Sequence, residues 1–201
     1  MTKNDKHSYH HGNLRDELMK VAVKHLNEAG VENLSLRAIA RELEVSQTAP
    51  YRHFNDKNSL LAALAVDGFN TLKNEMLAAI KQCSHKNIHA LQSCGIAYVN
   101  FARKNPEKYQ LMFSQGIINR QQYTELMSSS KAAFKVLQEV IEQGIQHGSF
   151  KEQQIEMVSN TAWALVHGLS TLIIDRLQWT MSNEAIEKQI EFSTRSLIDK
   201  L

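Results

Sequence analysis

Length, composition and charge set the first limits on this chain. Its 201 residues exclude a peptide-scale scaffold and suit one domain or two small ones. Only 8 Gly and 2 Pro occur, and Leu, Ala, Glu, Lys and Gln are abundant, as in helical proteins. The net charge is +2, and residues 1–57 hold nine Lys/Arg against eight Asp/Glu. Bulk charge therefore does not indicate a nucleic-acid partner, and any DNA-binding site must be a local surface.

The N-terminal segment, residues 1–11, is polar and has no apolar run, so it is not a signal peptide. We expect a flexible arm here. Its histidines His7, His10 and His11 suggest a metal site, but they have no partner Cys and no acidic spacing. Because lysines lie beside them, a basic arm that lies along DNA is the favoured interpretation. No metal or other cofactor is predicted.

Three helices are predicted after the arm. Apolar residues recur at helical spacing from Leu14 to Ala29, and Gly30 ends this first helix. Ser35 is placed to cap a short second helix, and Ser46 to cap a third after a tight turn at Val45. Two short helices joined by such a turn have the layout of a helix-turn-helix, although two packed helices of any bundle would look similar.

The predicted third helix has two faces of different chemistry. Pro50 and Phe54 fall on one side of a helical projection, with Thr48 and Arg52 opposite. No carboxylate occurs between Val45 and Asn55. Amide, hydroxyl and guanidinium groups are what a helix needs to contact base edges and phosphates. Proline is tolerated here because it lies at the edge of the first turn, where the Ser46 carbonyl can tilt outward.

A long fourth helix connects this head to the rest of the chain. Asn55 or Asp56 caps it, and it begins near Lys57 and runs for more than five turns. Cys83 and Cys94 are predicted to be reduced core residues. Further helices are predicted at residues 87–104, 106–114, 119–147, 152–178 and 182–200.

The segment from Ala162 to Ile174 is apolar nearly all round. Such a helix is buried on every side, which predicts intramolecular core on one face and a partner subunit on the other. The small residues Ala164, Gly168 and Ser170 would allow close approach of a second helix. We expect a four-helix bundle between two subunits, built from this helix and from the last one, whose apolar positions are Ile186, Ile190, Leu197 and Ile198.

The same region argues against a membrane protein and against an enzyme. The longest apolar stretch, Thr161 to Ile174, is interrupted by polar residues and is too short to span a bilayer, so a cytoplasmic protein is predicted. His167 and Asp175 are spaced to face the same way, but no nucleophile pattern accompanies them. The sequence therefore offers no catalytic motif.

The run LSLRAIARELEVSQTAPYRHFNDKNSLL, from Leu34 to Leu61, resembles the DNA-binding domain of TetR-family regulators. The typical form has a Thr/Ser-x-x-x-Ile-Ala segment, a Val-Ser turn, a Tyr-x-His-Phe and a Lys before the fourth helix. The opening YHHGNLRDELMKVAVKHLNEAG, the variant APYRHF, and Trp163, His167 and Gly168 further resemble a subgroup named for its Trp-His-Gly C-terminal domain. Ala49-Pro50 departs from the usual Thr-Leu or Ser-Leu pair, so a hydroxyl contact from position 49 is absent.

The resemblance is strong over residues 9–72 and implies an all-α fold. It implies a flexible arm at 1–11, a three-helix helix-turn-helix head at 12–72, and a C-terminal ligand-binding and dimerisation domain at 73–201, joined to the head by a long helix. The expected protein is a homodimer on an inverted-repeat site in double-stranded operator DNA. We expect repression that an unknown small-molecule effector relieves, and no enzyme activity.

The resemblance also implies functional residues. The DNA-binding set is Arg37, Gln47, Thr48, Ala49, Tyr51, Arg52, His53 and Lys57. The ligand-binding set is Tyr98, Phe101, Met112, Phe113, Trp163 and His167. Ordinary structural roles remain as alternatives: Tyr51 could stack on the first helix, His53 could be a surface histidine, and the ligand set could be core. An apolar or amphipathic effector suits a pocket rich in Met and aromatic residues.

Two other classes of protein remain open at this point. One is a helical ligand-binding or protein-interaction module whose helix-turn-helix no longer binds DNA. The other is a helical enzyme, for which the sequence shows no nucleophile, metal or cofactor motif.

Overall fold

The computed structural model describes residues 14–83, 87–151, 154–175 and 181–199. Every regular element in these ranges is helical, which confirms the all-α class. The predicted arm at residues 1–11 and the side chain of Ile198 lie outside the described part of the chain. The helices are α1 (Leu14–Asn33), α2 (Leu36–Glu42), α3 (Lys57–Gln82), α4 (Asn87–Lys104), α5 (Pro106–Phe113), α6 (Thr124–Gln146), α7 (Ile155–Ile174) and α8 (Asn183–Asp199), with 3-10 turns at Pro50–Arg52 and Arg120–Gln122.

The chain forms two compact units, one ending at Leu64 and the other beginning at Ala65. In the first unit, α1 buries Leu18, Ala22 and Leu26 along one stripe. Gly30 has φ 74° and ψ 176°, a conformation that is nearly restricted to glycine, and it interrupts the helix where the sequence predicted its end. One further turn leads to α2, whose apolar face buries Leu36, Ile39 and Ala40 in this unit.

The predicted third helix is not a regular α-helix. Residues 47–49 form a turn and Pro50–Arg52 a single 3-10 turn. Pro50 has no N–H to donate to the Ser46 carbonyl, and the Ala49 N–H bonds to that carbonyl instead, at 2.9 Å. Ser46 therefore does not cap an α-helix, and its carbonyl is engaged in the tighter turn rather than tilted outward. The faces are nonetheless those expected, because Pro50 and Phe54 are buried while Thr48 and Arg52 are exposed.

The start of α3 is fixed by reciprocal capping bonds. The Ser59 N–H donates to Asp56 Oδ1 at 2.7 Å, and the Asp56 N–H donates to Ser59 Oγ at 3.1 Å. Two of the N–H groups at the helix start, which have no partner within the helix, are thereby satisfied. Of the two predicted capping residues, Asp56 is the one that acts, and it fixes where the 26-residue helix begins.

In the second unit, α4 lies at the centre and packs against α5, α6, α7 and α8. Its buried face includes Cys94, and burial raises the pKa of the Cys94 thiol to about 12. Cys83, half-buried after the end of α3, is also a free thiol. The helix expected from residue 119 begins only at Thr124, because Asn119 is left-handed (φ 52°) and a 3-10 turn follows it.

The structure corrects the expectation for α8. Ile186 and Ile190, which were predicted to meet a partner subunit, are buried against Val99 of the same chain. Leu197 packs on another intramolecular cluster, which contains Leu91 and Ile141. The apolar spacing of α8 therefore marks the face that covers α4, and the exposed apolar residue of this helix is Phe192, with 68% of its surface accessible.

Helix α7 is apolar and largely exposed in the single chain. Its 20 residues make it long and apolar enough to cross a bilayer by length and composition alone. The apolar stretch from Thr161 to Ile174 is itself shorter than a bilayer span, as expected, and α7 reaches that length because it begins six residues before Thr161. Its fully buried residues are Val158, Ser159 and Ser170, so part of its apolar surface is accessible in the single chain.

The cap of α3 gives a stability prediction. Replacing Asp56 with Ala removes the acceptor of the Ser59 N–H and is expected to lower the free energy of unfolding of the full chain by about 1 kcal/mol. Asp56→Asn keeps an acceptor oxygen and should retain most of that stability. Urea unfolding followed by circular dichroism measures both, and equal losses for Ala and Asn would contradict the capping role.

Candidate nucleic-acid interface and ligand cavity

Most residues of the predicted DNA-binding set are exposed in the first unit. Arg37 is exposed in the first turn of α2. The segment that follows α2 presents Gln47, Thr48, Arg52 and His53 to solvent, and Tyr51 is 43% exposed. Ala49 is half-buried. The segment thus carries amide, hydroxyl, guanidinium and imidazole groups outward and leaves only one small side chain partly covered.

The reading segment, residues 46–53, is anchored to the core of the first unit by apolar contacts on its buried side. Pro50 and Phe54 insert into the core of the first unit, and the Phe54 N–H donates to the Pro50 carbonyl at 3.0 Å. The Arg15 guanidinium of α1 lies 5.5 Å from the centre of the Phe54 ring. Within the segment, the hydroxyls of Ser46 and Thr48 are hydrogen-bonded at 3.2 Å. The exposed groups therefore stand on a fixed backbone, which lowers the entropy cost of binding.

The electrostatics of this surface come from unpaired cations. Among the described residues neither Arg37 nor Arg52 forms an ion pair. The nearby carboxylate Glu42 is neutralised instead by α1, because it accepts hydrogen bonds from Lys24 Nζ at 2.8 Å and His25 Nε2 at 2.6 Å. These bonds, Lys24 first, lower the pKa of Glu42.

Lys57 has a structural partner that the sequence did not indicate. Its ammonium donates to the backbone carbonyl of Glu32 at 2.8 Å and so ties the start of α3 to the last turn of α1. An ammonium has three donors, so a phosphate contact is compatible with this bond. Replacing Lys57 would nevertheless disturb the first unit as well as any DNA contact.

The second unit encloses a cavity of about 760 Å³. This volume lies within the range of small-molecule sites. The wall is mostly apolar and is built from α3 to α8 and from the loop between α5 and α6. Four predicted ligand residues lie in it: Tyr98, Met112, Phe113 and Trp163. Phe101 is fully buried in the core and is not part of the wall.

His167 is not one of the residues that line the cavity. It is the last member of a chain of hydrogen bonds that begins at Trp163. The Trp163 Nε1–H donates to the Tyr98 hydroxyl at 3.2 Å, and the Tyr98 and Tyr109 hydroxyls are 3.1 Å apart. The Tyr109 hydroxyl lies 2.6 Å from His167 Nδ1, with Tyr98 3.1 Å from the same nitrogen. One consistent assignment has each group donate to the next, with neutral His167 accepting from Tyr109 through Nδ1.

Burial sets the protonation states of this hydrogen-bond chain. Desolvation raises the pKa of Tyr98 far above its usual value and that of Tyr109 to about 12, so both phenols stay protonated. Desolvation lowers the pKa of His167, which favours the neutral ring. Asp175, whose spacing predicted that it faces the same way as His167, accepts a hydrogen bond from Gln110 at 3.3 Å instead. The two do not form a catalytic pair.

Several wall residues were not singled out from the sequence. Tyr109, Arg120 and Lys131 carry polar groups in or beside the cavity. Arg120 lies in the 3-10 turn that the sequence assigned to a helix, and Lys131 reads as an ordinary charged position of α6. Only the tertiary packing brings these two cations to one wall, so helical spacing gave no signal for them.

Comparison with known families decides the assignment. Residues 18–64 match the bacterial regulatory proteins of the tetR family, and residues 91–195, more than half of the chain, match the tetracyclin repressor-like C-terminal domain. The chain belongs to the TetR family. It is therefore a DNA-binding transcriptional regulator with a ligand-binding C-terminal domain, and this family is not one of enzymes.

Relatives of this TetR-family chain agree with the assignment. The chain is 26% identical to the uncharacterised regulator YobS of Bacillus subtilis, covering 92% of this chain and 90% of YobS. A protein of unknown function from Rhodococcus sp. RHA1 superposes with a TM-score of 0.84 at 26% identity, over 98% of this chain and 99% of the other. Bacillus subtilis FadR, solved with stearoyl-CoA, gives a TM-score of 0.73 at 16% identity, over 92% and 98%. The last similarity shows a shared fold.

The lowered pKa of His167 predicts a pH-dependent stability. The folded protein binds this proton more weakly than the unfolded chain, so stability is lost as the pH falls below about 6.5 towards the folded-state pKa. In His167→Gln an amide oxygen replaces the acceptor and cannot titrate, so the melting temperature should fall less between pH 7.5 and pH 5.5. His147→Gln, at an exposed histidine, is the control, and parallel melting curves for parent and His167→Gln would contradict the prediction.

Proposed function

We propose that this chain is a homodimeric repressor that binds an inverted-repeat operator and releases it when a small molecule enters the cavity of the second unit. The observation that carries the proposal is the exposed reading segment, residues 46–53, which is free of carboxylates and stands on a buried Pro50 and Phe54. Gln47, Thr48 and Ala49 would enter the major groove, with Arg37 or Arg52 reaching bases or backbone. Tyr51, His53 and Lys57 would contact phosphates.

The proposed dimer interface is the exposed face of α7. Met157, Thr161, Ala164, Gly168 and Leu172 follow each other at spacings of three and four residues, and all are accessible or open in the single chain. Such spacing places them on one stripe of the helix. The stripe is small and apolar and contains no charge, which is the composition of a homodimer interface core. Phe192 of α8 supplies further exposed apolar surface.

Effector binding is proposed for the cavity, and α3 provides a continuous link to the head. The first turn of α3 follows the reading segment, and its later residues Phe69, Leu72 and Met76 line the cavity wall. The stearoyl-CoA complex of FadR supports the proposal that this fold accommodates a ligand with a long apolar part. Such coupling requires only that the effector bind the DNA-bound and free conformations with different affinities.

Two finer assignments belong to the same proposal. Trp163, His167 and Gly168 support the Trp-His-Gly subgroup, in which Trp163 and His167 would communicate ligand binding through the hydrogen bonds to Tyr98 and Tyr109. A cytoplasmic location follows from the function, since the operator is there, and a partner subunit rather than lipid would cover α7.

A helical module that has lost DNA binding is the second candidate class. Arg37 and Arg52, which form no ion pair among the described residues, and the carboxylate-free segment 46–53 favour DNA binding. A shift assay with duplex DNA at several salt concentrations separates the two, because phosphate contacts make DNA affinity fall steeply with salt.

Base reading and phosphate contact should separate by mutation. Gln47→Ala should weaken binding to the selected operator by on the order of 1 to 3 kcal/mol and leave a scrambled duplex unaffected, since it removes a base contact. Tyr51→Phe keeps the ring and removes only the hydroxyl, so it should weaken both duplexes equally. Titration of each duplex by fluorescence anisotropy measures the difference.

The control for this pair is Gln143→Ala, at an exposed position of α6 in the second unit, which should change neither affinity. Equal weakening of both duplexes by Gln47→Ala would exclude Gln47 as a base reader and shift that role to Arg37, Thr48 or Arg52.

The α7 interface predicts a monomerising substitution. A Cβ atom at Gly168 would meet nothing within 4 Å in the single chain, so a side chain can leave the helix there and Gly168→Arg should leave the helical content unchanged. In a dimer the same side chain would place a charge in the apolar interface, and the variant should sediment as a monomer where the parent sediments as a dimer. Gln143→Arg, on the exposed face of α6, should remain dimeric. A dimeric Gly168→Arg would place the interface elsewhere.

A further inference from the structure

The cavity wall has a charge pattern that its apolar character does not explain. Arg120 and Lys131 are its charged residues, and no carboxylate lines the cavity among the described residues. Lys131 is exposed, whereas Arg120 is partly buried, so the wall carries positive charge both at its solvent edge and further in.

Arg120 is held in the wall by neighbours that do not neutralise it. Its Nη2 donates to the Met112 carbonyl at 2.6 Å, and its guanidinium carbon lies 5.8 Å from the centre of the Phe69 ring. Met112 and Phe69 both belong to the wall. Neither contact supplies a negative charge. Burial lowers the pKa of Arg120, but an arginine remains charged at neutral pH.

The counter-charge for this arginine is not within the described chain. Neither Arg120 nor Lys131 takes part in any of the ion pairs of the described residues. A partly desolvated guanidinium with several free donors is costly without an anion, and its fork geometry suits a carboxylate or a phosphate. The other polar cluster of the cavity, around Tyr98, has its hydroxyls already engaged with Tyr109, His167 and Trp163.

We propose that the effector is an amphipathic anion, with an apolar body among the aromatic and aliphatic residues of the cavity and an anionic head group bound by Arg120 and Lys131. The inference rests on the proposed effector function of this cavity and names the chemical class of its ligand. Aromatic walls alone also suit quaternary ammonium ions. The wall contains two cations and, among the described residues, no carboxylate, so it would repel such a ligand.

A series of probes with one C12 chain and different head groups tests the proposal. Laurate and dodecyl phosphate are anionic, dodecanol is neutral, and dodecyltrimethylammonium is cationic. Titration calorimetry of the full chain is done below the critical micelle concentration of the ionic probes and below the solubility limit of dodecanol. At least one anion should have a dissociation constant roughly tenfold or more below that of dodecanol, the range of a charge-assisted hydrogen bond. The tighter of the two anions distinguishes a carboxylate from a phosphate head group.

Matched variants assign the preference to the two cations. Arg120→Gln should remove most of the preference for the anion over dodecanol, and Arg120→Lys should recover part of it. Lys131→Gln should reduce the ratio less, because Lys131 is exposed and screened by solvent. Lys135→Gln is the control: it lies one turn further along α6, pairs with Glu139 at 3.5 Å and is not in the wall. Circular dichroism and melting temperature check that each variant folds.

Three results would overturn the inference: dodecanol or the ammonium probe binding as tightly as both anions, no C12 probe binding, or an anion preference that survives Arg120→Gln. A shift assay on the ligand-free chain separates these failures from failure of the proposed function. Operator binding without an anion preference would leave the regulator intact and remove the ligand class. An anion preference without any effect on operator binding would leave the site intact and remove its role as the effector site.

Discussion

The need to cover α4 on all sides organises the second unit. Its buried residues Leu91, Tyr98, Val99 and Phe101 point in different directions around the helix, so no single neighbour can bury them. Four helices, α5 to α8, pack around it. Cylinders packed about a central cylinder leave gaps where their side chains do not meet, and the cavity lies in such a gap between α4 and the helices around it. Core formation and ligand space therefore have the same origin.

The polar groups at this cavity are of two kinds: some have hydrogen-bond partners within the chain, and one carries a charge that has no opposite charge among the described residues. Around Tyr98 each buried donor has an acceptor, so the cluster with Tyr109, Trp163 and His167 is internally satisfied and fixes the orientation of the aromatic rings. Arg120 has no negative partner within the described chain, which leaves its charge for something that enters. A satisfied network rigidifies a wall, whereas the charge of Arg120 is the basis of the proposed anion site.

In the first unit, the local backbone geometry depends on Pro50, which has no N–H group to donate. Pro50 cannot continue the hydrogen bonding of an α-helix, and the chain responds with a turn and a 3-10 turn over residues 47–52. The tighter winding still buries Pro50 and Phe54 and still exposes Gln47, Thr48 and Arg52. The outward chemistry is preserved because the buried pair anchors the segment, not because its backbone is a regular helix. This geometry differs from a straight helix, and in the proposed function it would constrain which base edges each side chain reaches.

The amino-acid sequence by itself determined the helical class, the positions of most helix ends and the surface of the head. Gly30 and Pro106 act through their own backbone properties and Asp56 through its side-chain cap, so their effects are local and readable without a structure. Ser35 takes the predicted N-cap position of α2 but makes no side-chain capping hydrogen bond there. The motif from Leu34 to Leu61 indicated the family on the same local basis. The sequence predicted an α-helix at Pro50, where the structure has a 3-10 turn. The two could not be told apart because proline is tolerated equally in a 3-10 turn and in the first turn of an α-helix.

Tertiary structure alone decided which apolar face meets which neighbour. Ile186 and Ile190 have the spacing of any amphipathic helix, and only the position of Val99 shows that they cover the chain's own core. Likewise Phe101 and Phe113 are both aromatic positions on helices, yet one is sealed in the core and the other lines the cavity. Lys57 and Arg120 gained backbone carbonyl partners, at Glu32 and Met112, that no spacing predicts. The spacing of apolar residues predicts that one face of a helix is buried. Which helix covers that face depends on residues that are distant in the sequence.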